Sequence, residues 1–200
     1  MPNYSIRVVL DGGQTIEIHG PADITEETTD AIVNAANSYL MGGGGVDGAI
    51  HDAAGPTLKD ECWEIIQKIK RLPAGQAVIT SGGRLAAKHV IHTVGPVYAR
   101  GEQNEAAILA SCYRESLRVA DENVLRSISF PAISTGVFGY PEDEAAPVAL
   151  STIIEALASA RNVALCRFIL YDRDNLRAYQ RTVEKLSKTS SSFHIEKAHS

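Results

Sequence analysis

The sequence predicts an α/β fold, a three-layer α/β/α sandwich with a central mixed, mostly parallel sheet. Three observations predict it. Short apolar runs recur along the chain, as expected of strands covered on both faces. Segments with apolar residues at three- and four-residue spacing separate them and read as amphipathic helices. Two strands come first and helix–strand alternation follows, which makes the sheet mixed rather than wholly parallel.

The elements follow in order. Ile6-Arg7-Val8-Val9-Leu10 and Gln14-Thr15-Ile16-Glu17-Ile18-His19, joined through Asp11-Gly12-Gly13, predict a hairpin with Ile16 and Ile18 facing one way. Ala31-Ile32-Val33-Asn34 predicts a doubly covered strand, as do Ala77–Thr80, His89–Val94, Ser127–Phe130 and Arg167–Tyr171. A helix is expected to start just beyond the glycines at 42–45, and another spans Thr57 to Lys70. Gln103 to Glu122 carries Leu109, Cys112, Tyr113, Ser116 and Ala120 at helical spacing. Glu142 to Ala160 repeats the pattern behind Pro141, expected in its first turn, and Asp174 to Leu186 completes the set. Residues 1–186 therefore form one domain, and residues 187–200, Ser-rich with Lys188, Glu196 and Lys197, are expected to be a disordered tail.

Composition bounds the function. Two hundred residues, 44% hydrophobic and 22% charged, suffice for one globular domain with a sizeable core. A net charge of −5 argues against an extended nucleic-acid surface, while leaving room for a small anion held by uncharged backbone amides. Cys62, Cys112 and Cys166 are odd in number and form no C-x-x-C, so buried free thiols are expected, with no disulfide framework and no metal site. The N-terminus lacks a signal-peptide core and no apolar run reaches membrane-spanning length, so a cytoplasmic location is expected, and a monomer is the default expectation where no feature of the sequence bears on assembly.

The chemistry concentrates in Met41-Gly42-Gly43-Gly44-Gly45-Val46-Asp47-Gly48-Ala49-Ile50-His51. Glycines permit close approach to backbone amides, and a helix N-terminus beyond them offers unpaired N–H groups to phosphate. Asp47 is out of place in a phosphate receptacle, which points to chemistry or hydroxyl recognition, unless it merely caps the helix. Ile133-Ser134-Thr135-Gly136-Val137-Phe138-Gly139-Tyr140-Pro141 forms a second such loop ahead of a helix, and Tyr171-Asp172-Arg173-Asp174-Asn175 follows the last strand. All three lie beyond strand ends, where ligands of open α/β sheets bind. Two glycine loops feeding two helix N-termini can clamp both phosphates of a diphosphate, each helix end contributing about 0.3–1 kcal/mol.

Gly43-x-Gly45-x-x-Gly48 also matches the dinucleotide fingerprint, but Ala35 to Gly42 intervene between the strand end and Gly43, and the region of residue 67 is helical. No Gly-Lys-Ser/Thr follows either loop, so a Walker loop is absent. Several residues carry two readings. Asn37 is a ligand contact or a loop-stabilising amide, and Tyr171 a ligand contact or a core aromatic. Asn34 is read as loop-stabilising and His51 as packing on the sheet, with His89 and His92 structural.

In order along the chain, Val33-Asn34-Ala35-Ala36-Asn37, Gly42 to His51, His92-Thr93-Val94-Gly95-Pro96 and Ile133 to Pro141 resemble the macrodomain family, and more narrowly its MacroD-type subfamily. The resemblance covers roughly Glu17 to Gln180. It implies binding of ADP-ribose at the sheet's carboxyl edge. It also implies hydrolysis of mono-ADP-ribosyl esters on Asp or Glu and deacetylation of O-acetyl-ADP-ribose, with no cofactor. The partners would be those metabolites or mono-ADP-ribosylated proteins. By motif, Asp23 and Ile24 would meet the adenine, with Tyr171 packing on it. Gly43, Gly44, Gly45 and Val46 with Ser134, Thr135, Gly136, Val137 and Phe138 would wrap the diphosphate and distal ribose. Asn37 would fix that ribose and Asp47 would orient or deprotonate a water. The chain departs from the family in reading Gly20-Pro21-Ala22-Asp23 where relatives place the aspartate directly after glycine, and in Phe138, which replaces a tyrosine of some active relatives. A non-catalytic ADP-ribose reader is the alternative function.

Overall fold

A computed structural model describes residues 6–197. β1 (Ile6–Leu10) and β2 (Thr15–His19) form the expected antiparallel hairpin. A 3-10 turn (Ile24–Glu26) leads to β3 (Ala31–Ala35), and α1 (Gly45–Ala54) and α2 (Pro56–Ile69) follow. Then come β4 (Ala77–Ser81), β5 (His89–Thr93), α3 (Glu105–Glu122), β6 (Ser127–Phe130), α4 (Glu142–Ala158), β7 (Leu165–Ile169), α5 (Arg173–Leu186) and β8 (Phe193–Lys197). The strands lie in one sheet of order β4-β5-β3-β6-β7-β2-β1-β8. The pairs β3–β5, β3–β6, β6–β7 and β2–β7 are parallel, while β4, β1 and β8 join antiparallel, so the sheet is mixed as expected.

Strand alternation assigns the two faces. Val8, Ile16, Ile18, Val33, Ile91, Ile128 and Phe168 point into the larger core, which α3, α4 and α5 cover. Its centre is aromatic, with Phe130–Phe168 ring centroids 5.8 Å apart and Phe168–Tyr179 4.9 Å apart. Each fully buried side chain of this kind contributes about 1.5–3 kcal/mol. On the opposite face, Ile50, Leu58 and Cys62 of α1 and α2 pack on Ile32 and Val90 in a smaller core. Gly55, at φ 78, ends α1, and Pro56 starts α2 at once, its missing N–H costing nothing in a first turn.

Three of the differences from expectation bear on the site or the sheet edge. β7 runs from Leu165 to Ile169, two residues earlier than read, because Leu165 pairs with Thr15 and the chain leaves the sheet at Leu170. Tyr171 therefore stands in a loop. Pro141 is the N-cap residue of α4, just outside its first turn. The expected tail is partly structured. Phe193–Lys197 pairs with the open edge of β1, Phe193 buries against the core and His194 points to solvent. Covering the hairpin's free edge removes unpaired backbone groups, which a Ser-rich composition does not reveal.

Candidate active site

The carboxyl ends of β3, β5, β6 and β7 open on one edge of the sheet, and a two-lobed cleft lies there. One lobe, about 360 Å³, is lined by Asp23, Ile24, Thr135, Tyr171 and Asn175 among others. The second, about 240 Å³, is lined by Asn37, Gly43, Gly44, Asp47, Ser134, Val137 and Phe138 among others. Gly45, Val46, Ala132 and Gly136 border both lobes, so the α1 N-terminus and the 134–138 loop form a shared waist. The fold thus brings every residue expected to contact the ligand or to act on it to one cleft, within the size range of small-molecule sites.

The waist is made of backbone donors. The first turn of α1 has no side-chain cap, since its N-cap is Gly44, and its leading N–H groups lack intrahelical partners. Helix and loop press together closely: a Cβ at Gly48 would run into the Gly43 carbonyl oxygen. Across the cleft, Tyr140 N–H donates to Ser134 O and Gly139 N–H to Gly136 O, both at 2.9 Å. Among the described residues the N–H groups of Gly136, Val137 and Phe138 make no hydrogen bond, and Val137 is 90% exposed. Ser134 sits in the left-handed region at φ 67, with its Oγ buried and unpartnered. A Cβ at Gly95 would collide with that hydroxyl, so the neighbouring strand end can carry only glycine.

In the second lobe Asp47 is 5% exposed and caps nothing. Its Oδ1 accepts from Asn34 Nδ2 at 2.8 Å and its Oδ2 from Asn37 Nδ2 at 3.3 Å. Asn37 Nδ2 also donates to Gly42 O at 2.8 Å, and its Oδ1 accepts from Tyr39 N–H at 3.0 Å. It is therefore both a loop brace and a neighbour of the carboxylate, and the two readings of it coincide. Asn34 corrects its reading as a loop amide: it is fully buried, sits within β3, and holds Asp47 directly. His51, one helical turn after Asp47, is more than a packing residue, with Nε2 3.5 Å from Asp47 Oδ1.

Behind Asn34 the polar contacts continue. His92, paired with Asn34 across β5–β3, accepts at Nδ1 from Asn34 Nδ2 (3.2 Å), so Nε2 carries the proton and donates to Thr80 Oγ1 (3.0 Å). Burial, with the nearby His51 charge, pushes the His92 pKa down to about 3 and keeps the ring neutral. Its structural reading from the sequence holds, but it belongs to a row that ends at Asp47.

The first lobe is largely apolar, with polar groups at its rim. Asp23 accepts at Oδ1 from Thr25 N–H (2.9 Å) and Thr25 Oγ1 (2.8 Å), capping the 3-10 turn that follows Pro21 and Ala22. Tyr171 is 82% exposed, which rules out its reading as a core aromatic. Sequence reasoning placed the 171–175 segment at the site but gave no role to Asn175, whose buried Oδ1 has no partner while its Nδ2 donates to Asp172 Oδ2 at 2.9 Å. Its position four residues after Tyr171, beside the Asp172 N-cap, was the only available signal.

Fold and cleft define an α/β protein with an elongated cleft lined at its waist by free backbone amides, and with a carboxylate and an amide at one end. A family model for the Macro domain matches residues 33–149. The chain is 53% identical over 164 residues to an O-acetyl-ADP-ribose deacetylase of Citrobacter rodentium, covering 82% of this chain and 92% of that one. It is similar in structure to the Oceanobacillus iheyensis macrodomain with ADP (TM-score 0.86, 43% identity, covering 92% of this chain and 99% of that one). It is also similar to the Trypanosoma brucei macrodomain in complex with ADP-ribose (TM-score 0.76, 40% identity, covering 84% and 68%). The chain belongs to the macro domain family.

Proposed function

We propose that this protein is an ADP-ribose-binding hydrolase that deacetylates O-acetyl-ADP-ribose and removes mono-ADP-ribose from Asp- and Glu-linked esters. The observation that carries this reading is the Asp47 carboxylate, buried at the end of the cleft, free of capping duty and held by two amides. A protein that only reads ADP-ribose needs no buried carboxylate beside a phosphate clamp. The names of the similar deacetylase and of the ADP-ribose complex support the substrate class.

The adenine occupies the apolar lobe, where Tyr171 packs on it, Ile24 backbone reads a ring nitrogen, and Asp23 accepts from the exocyclic amine. Asn175, whose buried Oδ1 has no partner, borders the same lobe. The diphosphate crosses the waist between Gly43–Val46 and Ser134–Phe138, and Phe138 covers the distal ribose. The Asn37–Asp47 bond, at 3.3 Å, is the longest in its cluster and the one a ribose hydroxyl replaces. Asp47 Oδ2 then orients a water and takes its proton as the water oxygen bonds to the ester's electrophilic carbon. The ester C–O bond breaks as the proton held by Asp47 passes to the leaving oxygen, and ADP-ribose and the free acid leave with the carboxylate restored. Asp47 takes part through position as much as basicity, because a labile ester needs only an aligned water.

The test measures acetate release from O-acetyl-ADP-ribose, and ADP-ribose release from a glutamate-modified protein, by the parent and by Asp47→Ala. Loss of about 10²–10⁴-fold in kcat, with ADP-ribose affinity within tenfold of the parent, is the expected result. An Asp47→Ala variant with the parent's rate overturns the mechanism, and a parent that binds ADP-ribose without turnover is a reader.

A further inference from the structure

His51, Cys62 and His92 come from α1, α2 and β5, so no sequence spacing links them, yet one ligand atom from each lies within 4.8 Å of the others. Cys62 Sγ is 3.6 Å from His92 Nε2. Zn–N bonds of about 2.0–2.1 Å and a Zn–S bond of about 2.3 Å put a tetrahedral N···S edge at about 3.5 Å, so this edge is already at ligand spacing. The His51 and His92 rings are tilted, with centroids 6.2 Å apart. His51 Nε2 is buried and makes no hydrogen bond, its nearest polar neighbour being Asp47 Oδ1 at 3.5 Å. The three ligand atoms lie within 4.8 Å of one another, so a side-chain movement of His51 of roughly an ångström brings its edges to about 3.5 Å and completes a two-nitrogen, one-sulfur set of the kind Zn²⁺ prefers. Access exists from outside, since His51 also lines a groove of about 440 Å³ with Gly42, Lys59 and Arg84.

We propose that His51, Cys62 and His92 form an inhibitory Zn²⁺ site whose occupation pulls Asn34 away from Asp47. The coupling follows from proton placement. In the metal-free protein His92 carries its proton on Nε2, and Nδ1 accepts from Asn34 Nδ2. A metal on Nε2 displaces that proton to Nδ1, while the Cys62 thiol releases its proton to solvent. Nδ1–H then faces Asn34 Nδ2, donor against donor. Asn34 relieves the conflict by turning its Oδ1, now buried and unpartnered, toward His92. That turn takes Nδ2 from Asp47 Oδ1 and sets an amide oxygen against the carboxylate, so Asp47 loses its shorter anchor. The inhibition rests on the hydrolase reading above, whereas the metal site does not.

The whole chain is titrated with Co²⁺ as a spectroscopic stand-in and with Zn²⁺, alongside Cys62→Ala and, as a control buried thiol, Cys112→Ala. The expected result is one metal per chain with a thiolate-to-Co²⁺ charge-transfer band, present in the parent and in C112A and absent in C62A. Zn²⁺ is expected to slow O-acetyl-ADP-ribose hydrolysis at least tenfold in the parent, reversibly with EDTA, and to leave C62A at its metal-free rate. A missing band, or a band that survives in C62A, overturns the site. Stoichiometric Zn²⁺ with an unchanged hydrolytic rate overturns the coupling to Asp47. If the parent proves to lack turnover, the band and stoichiometry still decide the site.

Discussion

One face of the sheet carries two polar rows, and they are built on opposite terms. Under α1 and α2, Thr80, His92, Asn34 and Asp47 form a chain of buried hydrogen bonds that reaches the cleft. Farther along the same face, Ser129, Arg167, Glu17, Arg7 and Glu196 stand opposite one another on successive strands β6, β7, β2, β1 and β8. There opposite charges alternate. Arg167 Nε is 2.8 Å from Glu17 Oε2, Arg7 lies 3.7 Å from Glu17 and 3.8 Å from Glu196, and Ser129 Oγ donates to Glu27. The charged ladder is closed on itself: Arg7 and Glu196 at its outer end reach solvent, while Glu17 and Ser129 are buried and are satisfied by their neighbours in the row. The covered row is mostly uncharged, dry and open at its ends, with orphan acceptors at Asn34 Oδ1 and Ser134 Oγ beside the cleft. Polarity under a helix is costly unless it is used, and here it leads to the carboxylate.

The comparison breaks most sharply at Asn34. Asn34→Ala removes the 2.8 Å bond to Asp47 Oδ1 and leaves His92 Nδ1 unpaired. The expected outcome is a fall in kcat of about 10–100-fold, with destabilisation of about 1–3 kcal/mol, because a buried partner is left unsatisfied. Steady-state kinetics with a urea melt would check it. A variant that loses stability but keeps its rate would show that the row is only structural.

Thr80 sharpens the same point from the far end. Thr80→Val leaves His92 Nε2–H with only Cys62 Sγ, at 3.6 Å, and should cost about 1–2 kcal/mol in denaturation while changing kcat less than threefold. Stability falling with distance from the cleft unchanged, and activity falling only near it, would separate support from chemistry within one row.

These rows also explain what the sequence made legible. Strand alternation and helical spacing predicted the fold, because burial on both faces writes itself into Ile16, Ile18, Val33 and Leu109. The glycine loop and the 133–141 loop were legible because close approach to a ligand requires particular residue types at particular places. Asn34 was misread because its partner comes from α1, thirteen residues later, and nothing in Val33-Asn34-Ala35 announces a contact made by folding. Asn175 lay in a segment the sequence did single out, but its unpartnered Oδ1 is a consequence of burial that the segment does not announce. β8 was lost because Ser190, Ser191 and Ser192 precede it and its only strong apolar residues are Phe193 and Ile195. Its stability comes from the edge of β1, a feature of topology and not of its own composition.

The ladder gives the smallest expected effect and a dependence on pH. A hydrogen bond from His19, followed by the bond and charge of Arg167, holds the Glu17 carboxyl below its ordinary pKa against the opposing pull of burial. Arg7 adds charge from β1. The folded pKa is depressed, so the stabilisation is complete above the unfolded value of about 4.3 and is lost as pH falls through the folded value. Glu17→Gln should therefore lower stability by about 1 kcal/mol at pH 7, the gap to the parent narrowing steadily below pH ~4. Hydrolysis at neutral pH should match the parent's, because nothing in the ladder reaches Asp47. Urea midpoints of both proteins at several pH values measure the gap. A constant gap would mean that Glu17 contributes by packing alone, and a lost rate would join two rows that the sheet keeps apart.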